Sequence, residues 1–274
     1  MQALPFVFSL LVAIGLVPLV RRRLVEAGMQ RENYRGVQLP VPLGVAIVPV
    51  ALIALIPIAL LARLTTLDIF PADLSIVIAF IPGVALLGLV DDVMAGESRG
   101  LRGHLAAASK GQFSSGMLKA TGTLGLALLV ASSLPGSDSE FLLAAAVLVL
   151  TTNAFNLLDL RPGRSVKALI LVGIGLTVAT QLTEPAAALG IFLGPVLVAG
   201  FFDLREKAML GDAGSNVIGA LAGVWIVLTL EPSEQLIAFA VLLLINLYGE
   251  FRSISTVIEK VPLVRHLDSF GRPS

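Results

Sequence analysis

Apolar runs of 17 to 23 residues recur along nearly the whole chain, at 4–20, 40–62, 74–90, 116–134, 140–158, 165–182, 185–203, 213–230 and 235–251. A helix that crosses a bilayer needs roughly 17 to 25 mostly apolar residues. The breaks between runs carry loop chemistry: Glu32-Asn33-Tyr34-Arg35-Gly36, Pro135-Gly136-Ser137-Asp138-Ser139, Glu184-Pro185 and Glu231-Pro232-Ser233. Strand-like alternation, low-complexity stretches and internal repeats do not stand out. The pattern predicts an all-α polytopic integral membrane protein with about nine transmembrane helices. It forms one domain over 1–274, in which 252–274 is a tail.

Charge sharpens this picture. Of the 19 Lys and Arg, 18 fall after runs 1, 3, 5 and 7 or in the tail, whereas the opposite loops hold only Arg63. By the positive-inside rule the N-terminus lies outside and the tail is cytoplasmic. The first run has no basic residue before it and Arg21-Arg22-Arg23 after it, an order that suits a retained helix rather than a cleaved signal peptide. Only 14% of residues are charged and mean hydropathy is +0.93. Soluble domains carry about 25% charged residues, so lipid solvates most of this surface. The absence of cysteine excludes disulfides, thiolate metal sites and a cysteine nucleophile. A nucleic-acid partner is not expected.

Polar residues collect at the ends of runs assigned to the cytoplasmic side. Run 3 ends in Asp91-Asp92, and run 5 ends in Asn153, Asn156 and Asp159, followed by Arg161, Arg164 and Lys167. Run 8 is entered through Lys207 and Gly211-Asp212-Ala213-Gly214-Ser215. Steps of three residues lag by about 60° around a helix, so Asn153, Asn156 and Asp159 are expected to share a face. Adjacent carboxylates repel and are usually kept near a cation. Small residues at a helix start let backbone N–H groups approach a phosphate, favoured by the positive end of the dipole. An Asp there can hold a divalent metal. Carboxylates with Mg²⁺, amides and Arg/Lys clamps at a membrane face suit phosphoryl transfer between a lipid phosphate and a soluble nucleotide.

Four stretches carry a resemblance. "LGLVDDV" (87–93), "TTNAFNLLD" (151–159), "KAMLGDAGS" (207–215) and, more loosely, "RGVQLPVPLG" (35–44) resemble motifs of the polyprenyl-phosphate N-acetylhexosamine-1-phosphate transferase superfamily. That superfamily includes the enzyme making the first lipid-linked peptidoglycan precursor. The resemblance implies transfer of a sugar-1-phosphate from a nucleotide-sugar, UDP-linked in relatives, to polyprenyl phosphate. The products are a polyprenyl-diphospho-sugar and a nucleoside monophosphate. It implies a multi-pass protein of a bacterial plasma membrane with a cytoplasmic site, and it leaves a homodimer open. It assigns Asp212 and Asp92 to Mg²⁺ (or Mn²⁺), and Asp91, Asp92 and Asp159 to catalysis. Substrate binding falls to Asn153, Asn156, Arg161, Arg164, Lys167, Lys207, Gly214 and Ser215. The family's Asp-Gly-x-Asp-Gly becomes Asp159-Leu160-Arg161-Pro162-Gly163 here, and its His-rich last loop is missing. Arg161 and Arg164 are therefore expected to clamp phosphate or a different donor head.

The remaining features fit around this core. Lys119 is expected to snorkel to the interface, Trp225 to pack, and His104 and His266 to be solvated loop residues. The tail has apolar residues at helical spacing, interrupted by Pro262; it either lies on the membrane surface or covers the site. Two other function classes compete with the enzyme: a catalytically divergent homologue that binds lipid phosphate or scaffolds envelope assembly, and a transporter. A transporter calls for polar residues near mid-membrane, and here the clusters lie at one face.

Overall fold

The computed structural model describes residues 2–94 and 114–273; His104 lies outside the described residues. Among the described residues, nine long helices follow the nine apolar runs: α1 (Leu4–Glu26), α2 (Ile47–Leu64), α3 (Leu74–Met94), α4 (Ser115–Ala131), α5 (Asp138–Leu158), α6 (Arg164–Thr180), α7 (Glu184–Leu204), α8 (Gly211–Thr229) and α9 (Pro232–Phe251). Two short helices, α10 (Ile254–Lys260) and α11 (Pro262–Ser269), form the tail. Among the described residues, seven helices are long and apolar enough to cross a membrane: α1, α2 with its 3-10 entry turn, α3, α5, α7, α8 and α9. The other two long helices, α4 and α6, have 17 residues each. The chain is thus an all-α, multi-pass membrane protein. Its large exposed side chains, such as Ile14, Ile56, Leu86, Ile174 and Leu244, are those a lipid phase solvates.

Local signals set the helix ends. Ser114 accepts from the Met117 N–H (3.2 Å) to start α4, and capping boxes start α5 (Ser137 with Glu140) and α9 (Glu231 with Glu234). Gly163 turns the chain into α6 in the left-handed region (φ 74°), where a β-carbon would be strained.

α8 is the axis of the molecule. Every residue from Ala213 to Ile226 on it is buried, between α3, α5 and α6. Glycine makes this possible, because small residues let membrane helices approach closely. A β-carbon on Gly88 of α3 would strike the Asp212 carbonyl, and one on Gly219 would strike Thr152 of α5. Gly44 meets Gly214 backbone to backbone, and the Leu43 and Gly44 N–H groups donate to the Met209 and Leu210 carbonyls (2.8 and 2.9 Å). Trp225 packs into the space left by Gly173 of α6. By contrast α9 is peripheral, with only Gln235 and Leu242 buried.

One element was not anticipated from the apolar pattern. Gln30–Glu32 (β1) and Gln38–Pro40 (β2) pair antiparallel, with Arg31 opposite Leu39. Strands of three residues, one wholly exposed and the other with adjacent Leu39 and Pro40 buried, leave no alternation to read.

Candidate functional site

The last turn of α3, the start of α4, the end of α5 and the start of α8 converge on one point, and Lys119 occupies it. Its Nζ lies 2.5 Å from Asp91 Oδ2 and 2.5 Å from Asp212 Oδ2. The Asn156 amide satisfies all its neighbours when its oxygen faces Lys119 Nζ (3.3 Å) and its nitrogen donates to Asp212 Oδ1 (3.2 Å) and Ser215 Oγ (2.9 Å). Lys119 therefore does not snorkel to the interface, as its place near the start of α4 suggested. Its four-carbon stem instead brings the ammonium between two carboxylates.

Asp92 has a different task from its neighbour. Its Oδ1 accepts the Asp212 N–H (3.0 Å) and its Oδ2 accepts the Ala213 N–H (2.8 Å). The first turn of α8, which the small-residue motif suggested for phosphate, thus receives a carboxylate from another helix. The principle is the one invoked for an anion at a helix start, but the anion is internal. Both Asp92 oxygens thus face the start of α8, whereas Asp91 faces Lys119. The Asp92 carbonyl also accepts from Arg31 Nη2 (2.7 Å), which latches the β-hairpin over the site.

Asp159 caps α5 and accepts from Ser165 Oγ (2.6 Å). Loss of hydration, and after it the Asp203 charge, pushes its carboxyl well above the ordinary range, against the Ser165 bond. Asp203 was not singled out in the sequence. Buried at the end of α7, its Oδ2 accepts the Gly163 N–H (2.6 Å) and its Oδ1 the Leu210 N–H (3.4 Å). It thereby ties the turn before α6 to the loop before α8. The available signal was an acidic residue opening the short loop that leads to Gly211-Asp212.

Several expected site residues are placed elsewhere. Asn153 Nδ2 donates to Asn246 Oδ1 of α9 (2.6 Å), and Asn246 Nδ2 donates to the Leu150 and Leu242 carbonyls (3.0 and 2.8 Å). Two 60° lags put Asn153 about 120° from Asp159 around α5, too far to share a face. Arg164 is buried and bound in a fork to Asp268 (2.8 and 3.0 Å), with Nη1 donating to Ser255 Oγ (2.8 Å). Lys167 Nζ donates to the Leu267 and Asp268 carbonyls (3.1 and 2.6 Å) at the end of α11. Arg161 stacks over the Tyr34 ring (4.2 Å) and approaches Glu259 (3.6 Å). The expected phosphate clamp at 161–167 is thus engaged by the tail, because a guanidinium enclosed away from water takes the nearest carboxylate. Lys207 is exposed, and its carbonyl accepts from Arg21 Nε (2.8 Å). Gly214 serves the contact with Gly44, while Ser215 is buried against Asn156.

The donors around Lys119 are all oxygens, a set that suits a hard cation such as Mg²⁺ or Mn²⁺. Among the described residues no group of three His, Cys, Asp or Glu is arranged to hold a metal. The fit therefore rests on Asp91, Asp212 and the Asn156 amide oxygen, with Lys119 turned aside. An apolar groove of about 980 Å³ runs between α5, α6, α9 and α10, lined by Phe155, Leu158, Val172, Leu242 and Tyr248, with Arg252 also in its wall. Compared with models of known protein families and with curated proteins, the chain matches none.

Proposed function

We propose that this chain transfers a sugar-1-phosphate from a nucleotide-sugar to polyprenyl phosphate at the cytoplasmic face of a bacterial plasma membrane. All nine long helices then span the bilayer, with the N-terminus outside. The observation that carries the reading is the Asp91–Lys119–Asp212–Asn156 cluster, in a chain that also carries an apolar groove between α5, α6, α9 and α10. Charged groups drawn together at one end of a helix bundle mark function more often than structure.

In this reading the groove takes the prenyl chain, and Arg252 in its wall meets the lipid phosphate. Lys119 exchanges its carboxylate partners for phosphate oxygens and neutralises the charge that accumulates as two phosphates approach. Asp91, Asp212 and Asn156 would hold Mg²⁺, which supplies further charge neutralisation when bound. Asp92 keeps the start of α8 in place and so fixes Asp212. An oxygen of the lipid phosphate forms a bond to the sugar-proximal phosphorus, and that phosphorus releases the nucleoside monophosphate. Positioning and electrostatics carry the rate.

The test is transfer of label from a panel of nucleotide-sugars into butanol-extractable lipid, with and without Mg²⁺ or Mn²⁺. Asp212→Asn abolishes transfer if the reading is right. The occupation of Arg164 and Lys167 by the tail favours a second reading, a divergent homologue that binds lipid phosphate without turnover. Retained polyprenyl-phosphate binding with no transfer from any donor selects that alternative.

A further inference from the structure

The tail helix α11 divides into three sides. Leu263 and Leu267 of α11, and Phe270 at its C-terminal cap, are exposed (70, 47 and 72%) and fall within about 60° of one another around the axis. Arg265 and Ser269 occupy the far side and His266 flanks the apolar one, and all three are exposed. Asp268 faces the protein, where Arg164 and Arg272 both grip it in forks. Gly271 (φ 78°) then turns the chain so that Arg272 Nε reaches the Pro162 carbonyl (2.8 Å). This bracing sets the rotation of α11. The apolar side cannot roll inward without breaking the Asp268 forks.

We infer that α11 lies in the interfacial layer of the inner leaflet, with Leu263, Leu267 and Phe270 among the upper acyl chains, and that its lipid partner is anionic. Three observations fix the bilayer as the occupant. Only Arg252 and Ser253 separate α9 from α10, so the tail stays at the membrane edge. Ile254 and Val257 of α10 line the same groove as Leu244 and Leu247 of α9, so the apolar surface of a membrane helix continues into the tail without interruption. Residues 252–273 carry Arg252, Lys260, Arg265 and Arg272 against Glu259 and Asp268, an excess of positive charge that an anionic leaflet attracts. A helix with one apolar and one polar side lies in the interface plane.

The chain has no cysteine, which makes site-specific labelling direct. Single variants Leu263→Cys, Phe270→Cys, Arg265→Cys and Ser269→Cys carry an environment-sensitive fluorophore in the full-length protein. They are reconstituted in phosphatidylcholine vesicles with or without phosphatidylglycerol. A lipid spin label near the top of the acyl chain quenches positions 263 and 270 several-fold more than 265 and 269, and phosphatidylglycerol widens the difference. Weak, equal quenching at all four positions overturns the inference. So does shielding of 263 and 270 from aqueous iodide without lipid quenching, because a second copy or another protein then covers the face.

Discussion

Replacing Lys119 by Met removes the ammonium and keeps most of the stem, so packing is conserved while two carboxylates lose their partner. The Lys119 and Asp91 side chains are 15 and 14% exposed and Asp212 is 33% exposed. Breaking one member out of a buried ion pair costs about 3–5 kcal/mol, because the remaining charge is left uncompensated. Screening at the more open Asp212 lowers this to about 2–4 kcal/mol. The chain has a single tryptophan, Trp225, seated against Gly173 in the core, and its fluorescence follows unfolding by SDS in mixed micelles. Lys119→Met is expected to unfold earlier by that amount. Millimolar Mg²⁺ is expected to restore part of the loss, since the vacated oxygens suit a hard cation, and to leave the parent protein nearly unchanged. Stability within about 0.5 kcal/mol of the parent, with no response to Mg²⁺, would refute the reasoning. Lys119 would then be a lysine that reaches the interface.

Two more predictions use the same micelle system. Asp92→Ala removes acceptors from two N–H groups at the start of α8 and is expected to cost about 2–3 kcal/mol. A gain in stability would mean that repulsion from Asp91 outweighs the cap. For Asp268, burial pushes the carboxyl up, but the hydrogen bonds and charges of Arg164 and Arg272 prevail and hold it below the ordinary value of 3.8. A group lowered in the folded state stabilises above its unfolded pKa and loses that stabilisation as pH falls through the folded value. The tail should therefore loosen only below about pH 4. Electron paramagnetic resonance of a spin label at Ser269→Cys should sharpen there and stay constant between about pH 5 and 8; sharpening near neutrality contradicts the Asp268 lock.

The long helices were legible because each is a mostly apolar run bounded by Gly, Pro or charge, and such runs differ little whatever surrounds them. The convergence of Asp91, Asn156 and Asp212 was legible in part, since all three sit at helix ends that the charge pattern assigned to one side. The roles within the cluster were not. Asp91 and Asp92 are adjacent in sequence, yet one meets Lys119 and the other meets the backbone of α8, because consecutive residues on a helix point 100° apart. Lys119 resembled any lysine near a helix end, and only the packing of α4 beside α3 brings it to the carboxylates. Asn153 fitted the spacing rule pairwise with Asn156, but the rule's lag accumulates and turns it to α9.

By itself, the sequence determined that this is an all-α membrane chain, where its helices run, and which ends gather polar residues. Those properties follow from the free energy of placing each segment in lipid, a sum over local residues. The tertiary structure decided which charge neutralises which, that Asp92 caps α8, and that the tail engages Arg164 and Lys167. Ion pairs and caps depend on distances of a few ångströms between segments far apart in the chain. Those distances are set by where Gly44, Gly88 and Gly219 let the helices touch, and no local residue sum contains them.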